Sequence, residues 1–260
     1  MELATRPPHP ALAPYIRSLA GWYERTDGPV RRAEPPGARI VLVISFGPAM
    51  DVDGRRFRSF VAGLHDAPAL TEHAGEGHGL QAYLSPLGAC RLFGLPMGEL
   101  TRQVVELEDL IGPAAAELAE RLAEAPGWPA RFALLERVIA ERTLEAPSRP
   151  SGLEWAWRRL LESDGAVPVA DLAAELGWSR RHFSATFREQ IGMPPKLVAR
   201  VLRFERALGR LRAGDELADV ALDSGYYDQA HFNRDFKAFA GVTPTEYLIT
   251  SVQDISSIAA

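Results

Sequence analysis

Two stretches of this 260-residue chain repeat one another, and that repeat leaves few folds open. In the first, Val169, Leu172, Ala173 and Leu176 fall at i, i+3, i+4 and i+7, one face of a short helix. Gly177 follows, where a left-handed residue ends a helix. Ser179 is placed to cap a second helix, with Phe183 and Phe187 one turn apart on its inner face, and Gly192-Met193-Pro194 closes it. In the second stretch Leu217, Val220 and Ala221 repeat the spacing, Gly225 the turn, Phe232 and Phe236 the aromatic pair, and Gly241 to Pro244 the exit. His182/His231 and Arg188/Lys237 also correspond. The offset is 48 residues at Val169/Leu217, 49 at Phe183/Phe232 and 50 at Pro194/Pro244, so each loop gains a residue while the helices keep register.

Two helices joined by a glycine turn form the unit whose second helix can lie in a DNA major groove. A generic helical hairpin competes with that reading for a single instance. Two instances joined by a long helix, Pro195 to Arg212, favour DNA. The segment from about Leu153 to Leu248 resembles the AraC/XylS family of bacterial transcription regulators. The residues that carry the resemblance are Leu172-Ala173, Gly177, Ser179, His182-Phe183, Phe187, Gly192 and Pro194, then Val220-Ala221, Gly225-Tyr226, Phe232, Arg234, Phe236, Gly241, Pro244 and Tyr247.

The resemblance implies that each second helix enters a major groove, the two grooves lying on one DNA face about one turn (~34 Å) apart. It makes Ser179 to Glu189 the first reading helix, with Arg180, Arg181, Ser184, Ala185 and Arg188 outward. Arg181 and Ser184 are expected at base edges, and Arg180 and Arg188 nearer phosphates. The second reading helix is roughly Asp228 to Phe239, with Gln229, Asn233, Arg234 and the Arg188 equivalent Lys237. Arginine pairs bidentately with guanine, and glutamine or asparagine with adenine.

The net charge of −5 gives DNA binding no support by itself, so local charge has to carry it. Pro168 to Arg212 holds nine basic residues against four acids, a net of +5, whereas Ala213 to Thr250 holds two against seven, a net of −5. Phosphate neutralisation supplies most non-specific affinity. The first unit is therefore expected to anchor the protein, and the second to supply selectivity or an RNA polymerase contact.

Upstream, the texture is that of an α+β domain: a small antiparallel sheet or open barrel followed by helices. We expect a short helix from His9-Pro10 to Ala20, a strand over Leu19 to Glu24, and a buried strand over Arg39 to Phe46. Asp53-Gly54 is read as the turn of a hairpin from Met50-Asp51-Val52 to Phe57–Gly63. Further strands are expected at Ala69 to His73 and Gly79 to Ser85, with Glu76-Gly77-His78 in a turn between them. Helical spacing marks Leu87 to Leu95, Glu99 to Val105, Pro113 to Glu124 and Pro129 to Leu144. These readings give a sensing or dimerisation domain over 1–146, a linker over 147–152, an all-α domain of two helix-turn-helix units over 153–250, and a tail over 251–260.

Other motifs carry less. His65, His73 and His78 lie near Glu72 and Glu76 but lack an H-x-H pair, so solvated histidines are expected rather than a metal site. Cys90, the sole cysteine, falls in a helical pattern that suits a buried small residue. Trp22, Tyr23, Phe46, Phe57, Phe60 and Tyr83 suit a core first and a ligand pocket second. No catalytic residue set, cofactor or metal is expected. FVAGL at Phe60 and YLSPLGA at Tyr83 resemble N-terminal domains of unknown ligand that accompany this DNA-binding module. The expected function is a cytoplasmic, sequence-specific regulator with double-stranded DNA and an unidentified small-molecule effector as partners, a homodimer being a further option, and no membrane association. The competing readings are an enzymatic or metal-binding domain fused to a DNA-binding tail, and an effector-independent regulator.

Overall fold

The computed structural model describes residues 2–144 and 151–249, so the expected linker falls mostly outside the described residues and the tail entirely so. The N-terminal part holds ten strands: β1 (Glu2–Arg6), β2 (Ile16–Arg25), β3 (Val30–Glu34), β4 (Ile40–Ser45), β5 (Met50–Val52), β6 (Arg55–Phe57), β7 (Phe60–Ala62), β8 (Ala69–His73), β9 (Glu76–Leu84) and β10 (Val104–Glu106). They form two antiparallel sheets, of order β1-β2-β9-β4-β7-β10 and β3-β8-β5-β6. Helices α1 (Pro86–Phe93), α2 (Leu107–Ile111), α3 (Ala114–Glu124) and α4 (Gly127–Leu144) follow.

Strand alternation sorts the side chains of the larger sheet. Ile40, Leu42 and Ile44 of β4 and Leu80, Ala82 and Leu84 of β9 enter the core shared with the helices. Their neighbours Val41, Val43, Gln81 and Tyr83 face a cavity of about 550 Å³, whose other wall includes Arg32, Val52, Thr71 and His73 of the smaller sheet. Helix α1 starts where Ser85 accepts a hydrogen bond from the Gly88 N–H at 3.0 Å and Pro86 presets the first turn, and left-handed Gly94 ends it.

Four local expectations are corrected. The helix over His9 to Ala20 is only a 3-10 turn at Pro10–Leu12, and β2 starts at Ile16. Pro14 offers no N–H to continue a helix. The Asp53-Gly54 hairpin returns through Arg55–Phe57, while Phe60–Ala62 crosses to the larger sheet and pairs with β4. Glu76, Gly77 and His78 are in β9 rather than a turn, because Trp22 lies across the strand: a Cβ on Gly79 would sit 2.7 Å from its ring and one on Gly77 3.2 Å from its Nε1. Glu99 to Val105 is a 3-10 turn (Met97–Leu100) running into β10.

The C-terminal part is helical: α5 (Ser151–Glu162), α6 (Val169–Glu175), α7 (Arg180–Ile191), α8 (Pro195–Arg212), α9 (Leu217–Asp223), α10 (Gln229–Ala240) and a last helical turn over 244–249.

Candidate nucleic-acid interface

The two repeats have the same construction. Gly177 and Gly225 turn with φ of 67° and 76°. Ser179 caps α7 by accepting from the His182 N–H at 3.2 Å, and Asp228 caps α10 by accepting from the His231 N–H at 2.6 Å. Phe183 and Phe187 are fully buried with ring centroids 5.5 Å apart; Phe232 and Phe236 repeat this at 5.6 Å. Gly192 and Gly241, with φ of 108° and 78°, end the helices. With the aromatic edge of each helix fixed inward, its opposite face is committed to solvent. Ser179, Arg180, Arg181, Ala185 and Arg188 are exposed and Ser184 is half-buried on α7; Gln229, Asn233, Arg234 and Lys237 are exposed on α10.

The charge imbalance has an internal component. Asp235 on α10 is buried and accepts from Arg200 on α8 at 2.7 and 3.2 Å. Arg210 bridges Asp215 and Asp223, each at 2.6 Å, and Arg206 pairs with Asp164 at 2.8 Å. Acids of the second half, Asp235, Asp215 and Asp223, therefore neutralise Arg200 and Arg210 of the long helix, and Asp164, ahead of the first unit, neutralises Arg206. Among the described residues, Arg180, Arg181, Arg188, Lys196, Arg234 and Lys237 are exposed cations with no ion pair or side-chain hydrogen bond. Tyr227, 93% exposed beside the Asp228 cap, is a surface aromatic that the repeat pattern did not single out; an aromatic preceding a cap was the available signal.

The helix-turn-helix domain family is matched over residues 154–249, the segment that holds both units. This segment is an AraC-type domain. A domain of unknown function (DUF6597) is matched over 4–106. An uncharacterized HTH-type transcriptional regulator of Staphylococcus aureus (strain MSSA476) is 35% identical over 82 residues, 31% of this chain and 11% of that protein. The HTH-type transcriptional regulator YkgA of Escherichia coli (strain K12) is 33% identical over 108 residues, 41% of this chain and 44% of that one. The chain thus spans about a tenth of the staphylococcal relative and under half of YkgA. Two structures of ToxT from Vibrio cholerae share the fold at a TM-score of 0.50: one with 14% identity covering 90% of this chain and 98% of ToxT, and one with 13% identity covering 89% and 98%, bound to (E)-4-(8-methylnaphthalen-1-yl)but-3-enoic acid.

The AraC-type domain is gripped by the N-terminal part at the far ends of its reading helices. The Met97–Leu100 turn packs on the end of α7, where a Cβ on Gly98 would lie 2.9 Å from the Glu189 carbonyl, and Thr101 donates to the Gly192 carbonyl. Arg91 pairs with Glu154 at 3.0 Å, and buried Cys90 lies 3.8 Å from Gln190. Pro68 abuts Gly241 after α10. The starts of α7 and α10, which carry Arg180, Arg181, Gln229, Asn233 and Arg234, stay open to solvent.

Alternation divides the aromatic set. Trp22, Phe60 and Tyr83 line the cavity. Tyr23 and Phe46 turn the other way and hold His78 between their ring edges and that of Trp128. Phe57 is core. The three histidines have separate settings. His73, buried, hydrogen-bonds Glu24 at 3.0 Å in a network with Arg32 that sequence reading did not find. It joins residues 49 apart, and no spacing rule reaches across two sheets. His65 sits on the Gly63 carbonyl at 3.2 Å, and burial pushes its pKa down against that bond. His78 is pushed down by burial and by Arg131. Among the described residues no group of three or more His, Cys, Asp or Glu could hold a metal ion, and no helix is long and apolar enough to cross a membrane.

Proposed function

We propose that the chain is a sequence-specific DNA-binding transcription regulator that places α7 and α10 in two adjacent major grooves. Arg181 and Ser184, with Gln229, Asn233 and Arg234, read bases; Arg180, Arg188 and Lys237 neutralise phosphates, and Ser179 caps the first reading helix. The observation that carries this is the pair of equally capped helices, each locked by two buried phenylalanines with its cation-bearing face outward. The 18-residue spacer α8 is about 27 Å long at 1.5 Å per residue, commensurate with a helical turn of DNA.

The division of the chain is part of the proposal: a sensing domain over 1–146, a linker over 147–152 and a DNA-binding domain over 153–250. A cavity of about 550 Å³ between the two sheets supports an effector, because it has the volume of small-molecule sites and sets an apolar wall of Trp22, Val41, Val43 and Phe60 against charged groups that include Glu24, Arg32 and Arg39. That a ToxT structure holds a small organic acid fits the same use of this fold. Effector binding would act by shifting the population of domain arrangements able to bind DNA. Capture of genomic DNA by the purified chain tests the first claim. Recovery of discrete sites sharing one motif is expected; uniform, salt-sensitive binding with no enriched site would sink it. A thermal-shift screen with metabolites tests the second, with a rise in Tm expected from the effector.

A further inference from the structure

The cavity and the DNA-reading half share one residue. Arg39 lines the cavity, its guanidinium 4.6 Å from the centre of the Tyr83 ring, and the same guanidinium holds Glu205 on α8. Glu205 sits in a built carboxylate receptor: Arg39, the Ala38 N–H donating at 3.1 Å, and Arg17 at 3.7 Å. Gly37 leaves room for it, since a Cβ there would come 2.7 Å from Glu205 Oε1. The other cavity arginines are satisfied within the N-terminal part, Arg32 by Glu24 at 2.7 and 2.9 Å and Arg102 by Asp66 at 2.7 Å twice. Arg39 takes its acid from the reader instead. Glu205 is also the sole acid on the helix that spaces the two reading helices.

Resting on the effector reading above, we propose that the cavity takes a small organic acid with an apolar body, whose carboxylate replaces Glu205 on Arg39 and releases α8 from the N-terminal part. The resident carboxylate shows what the receptor recognises. Trp22, Val41, Val43, Phe60 and Val104 supply the wall for an apolar body. A neutral ligand has no charge with which to compete for a guanidinium already bonded to a carboxylate. Exchange replaces one charge-assisted pair by another while the freed Glu205 regains water, so the ligand gives up little and the interdomain clasp is lost. By linkage, whatever weakens the clasp must tighten acid binding.

Isothermal titration of the full chain with 4-phenylbutanoate and with its neutral analogue 4-phenylbutan-1-ol tests this. Glu205→Gln is expected to bind the acid roughly five- to tenfold tighter than the unaltered chain, with the alcohol unchanged. Arg17→Gln, which loosens the seat of Glu205 without altering the cavity wall, is expected to shift acid affinity the same way by less. Arg39→Gln should abolish the preference for acid over alcohol. Equal binding of acid and alcohol by the unaltered chain and Glu205→Gln would overturn the exchange while leaving a ligand-binding cavity in place. Binding of neither probe by any variant would overturn the ligand class, and a metabolite that still raises Tm would show that the effector reading survives it.

Discussion

Asp235 lies within the second reading helix yet turns its carboxylate inward to Arg200, which is partly exposed where Asp235 is not. Removing the arginine strands a buried charge, so Arg200→Ala should cost about 2 kcal/mol in urea unfolding, and Asp235→Asn should cost less. Glu24 shows the same logic in the cavity. Burial alone would raise its carboxyl, but the hydrogen bonds and charge of Arg32, then those of His73, outweigh burial and hold it below the ordinary glutamate range. A carboxyl depressed in the folded state contributes stability that is complete above its unfolded pKa and is lost as pH falls through the folded one. The urea midpoint of the unaltered chain should therefore fall as pH drops below the ordinary glutamate range, and Glu24→Gln should flatten that limb.

At the scale of elements, the reading helices are defined by their ends. Gly177 and Gly192 are both left-handed, but a Cβ on Gly177 would meet open space, whereas one on Gly192 would lie 3.0 Å from the Met97 carbonyl. Gly177→Ala should therefore cost about 1 kcal/mol of backbone strain alone. Gly192→Ala should cost more, because it also pushes the N-terminal part off the end of α7. Chemical denaturation of the two variants side by side checks the ranking. The helix ends were legible in the sequence, since a glycine or a capping Ser or Asp states its backbone requirement locally. The return strand of the Asp53-Gly54 hairpin was not. Residues 55–57 and 60–62 both fit a strand, and pairing partners on two different sheets, which no local pattern encodes, assigned them.

For the whole molecule, four exposed cations of the described helix-turn-helix segment, Arg180, Arg188, Lys196 and Lys237, are free to meet phosphates without reading bases, so full engagement implies a slope of log K against log salt of about −4. Arg188→Ala should reduce that slope by about one, measured by fluorescence anisotropy on a captured site across a salt series. Equal losses of affinity and slope for Arg181→Ala and Arg234→Ala would remove the expected division between an anchoring first unit and a selective second one. The sequence alone determined the repeat, its caps, its inward phenylalanines and hence the outward reading faces, because helical period and glycine turns are local properties of the chain. It did not determine how much of the basic excess is free, since the pairing of Arg200 with Asp235 and of Arg210 with Asp215 and Asp223 depends on how α8, α9 and α10 cross. Nor did it show the cavity or the seat of Glu205 between Arg39 and Arg17, which joins residues 166 apart. Periodicity places a side chain on a face; only the packing of two sheets against a helix decides which charge that face meets.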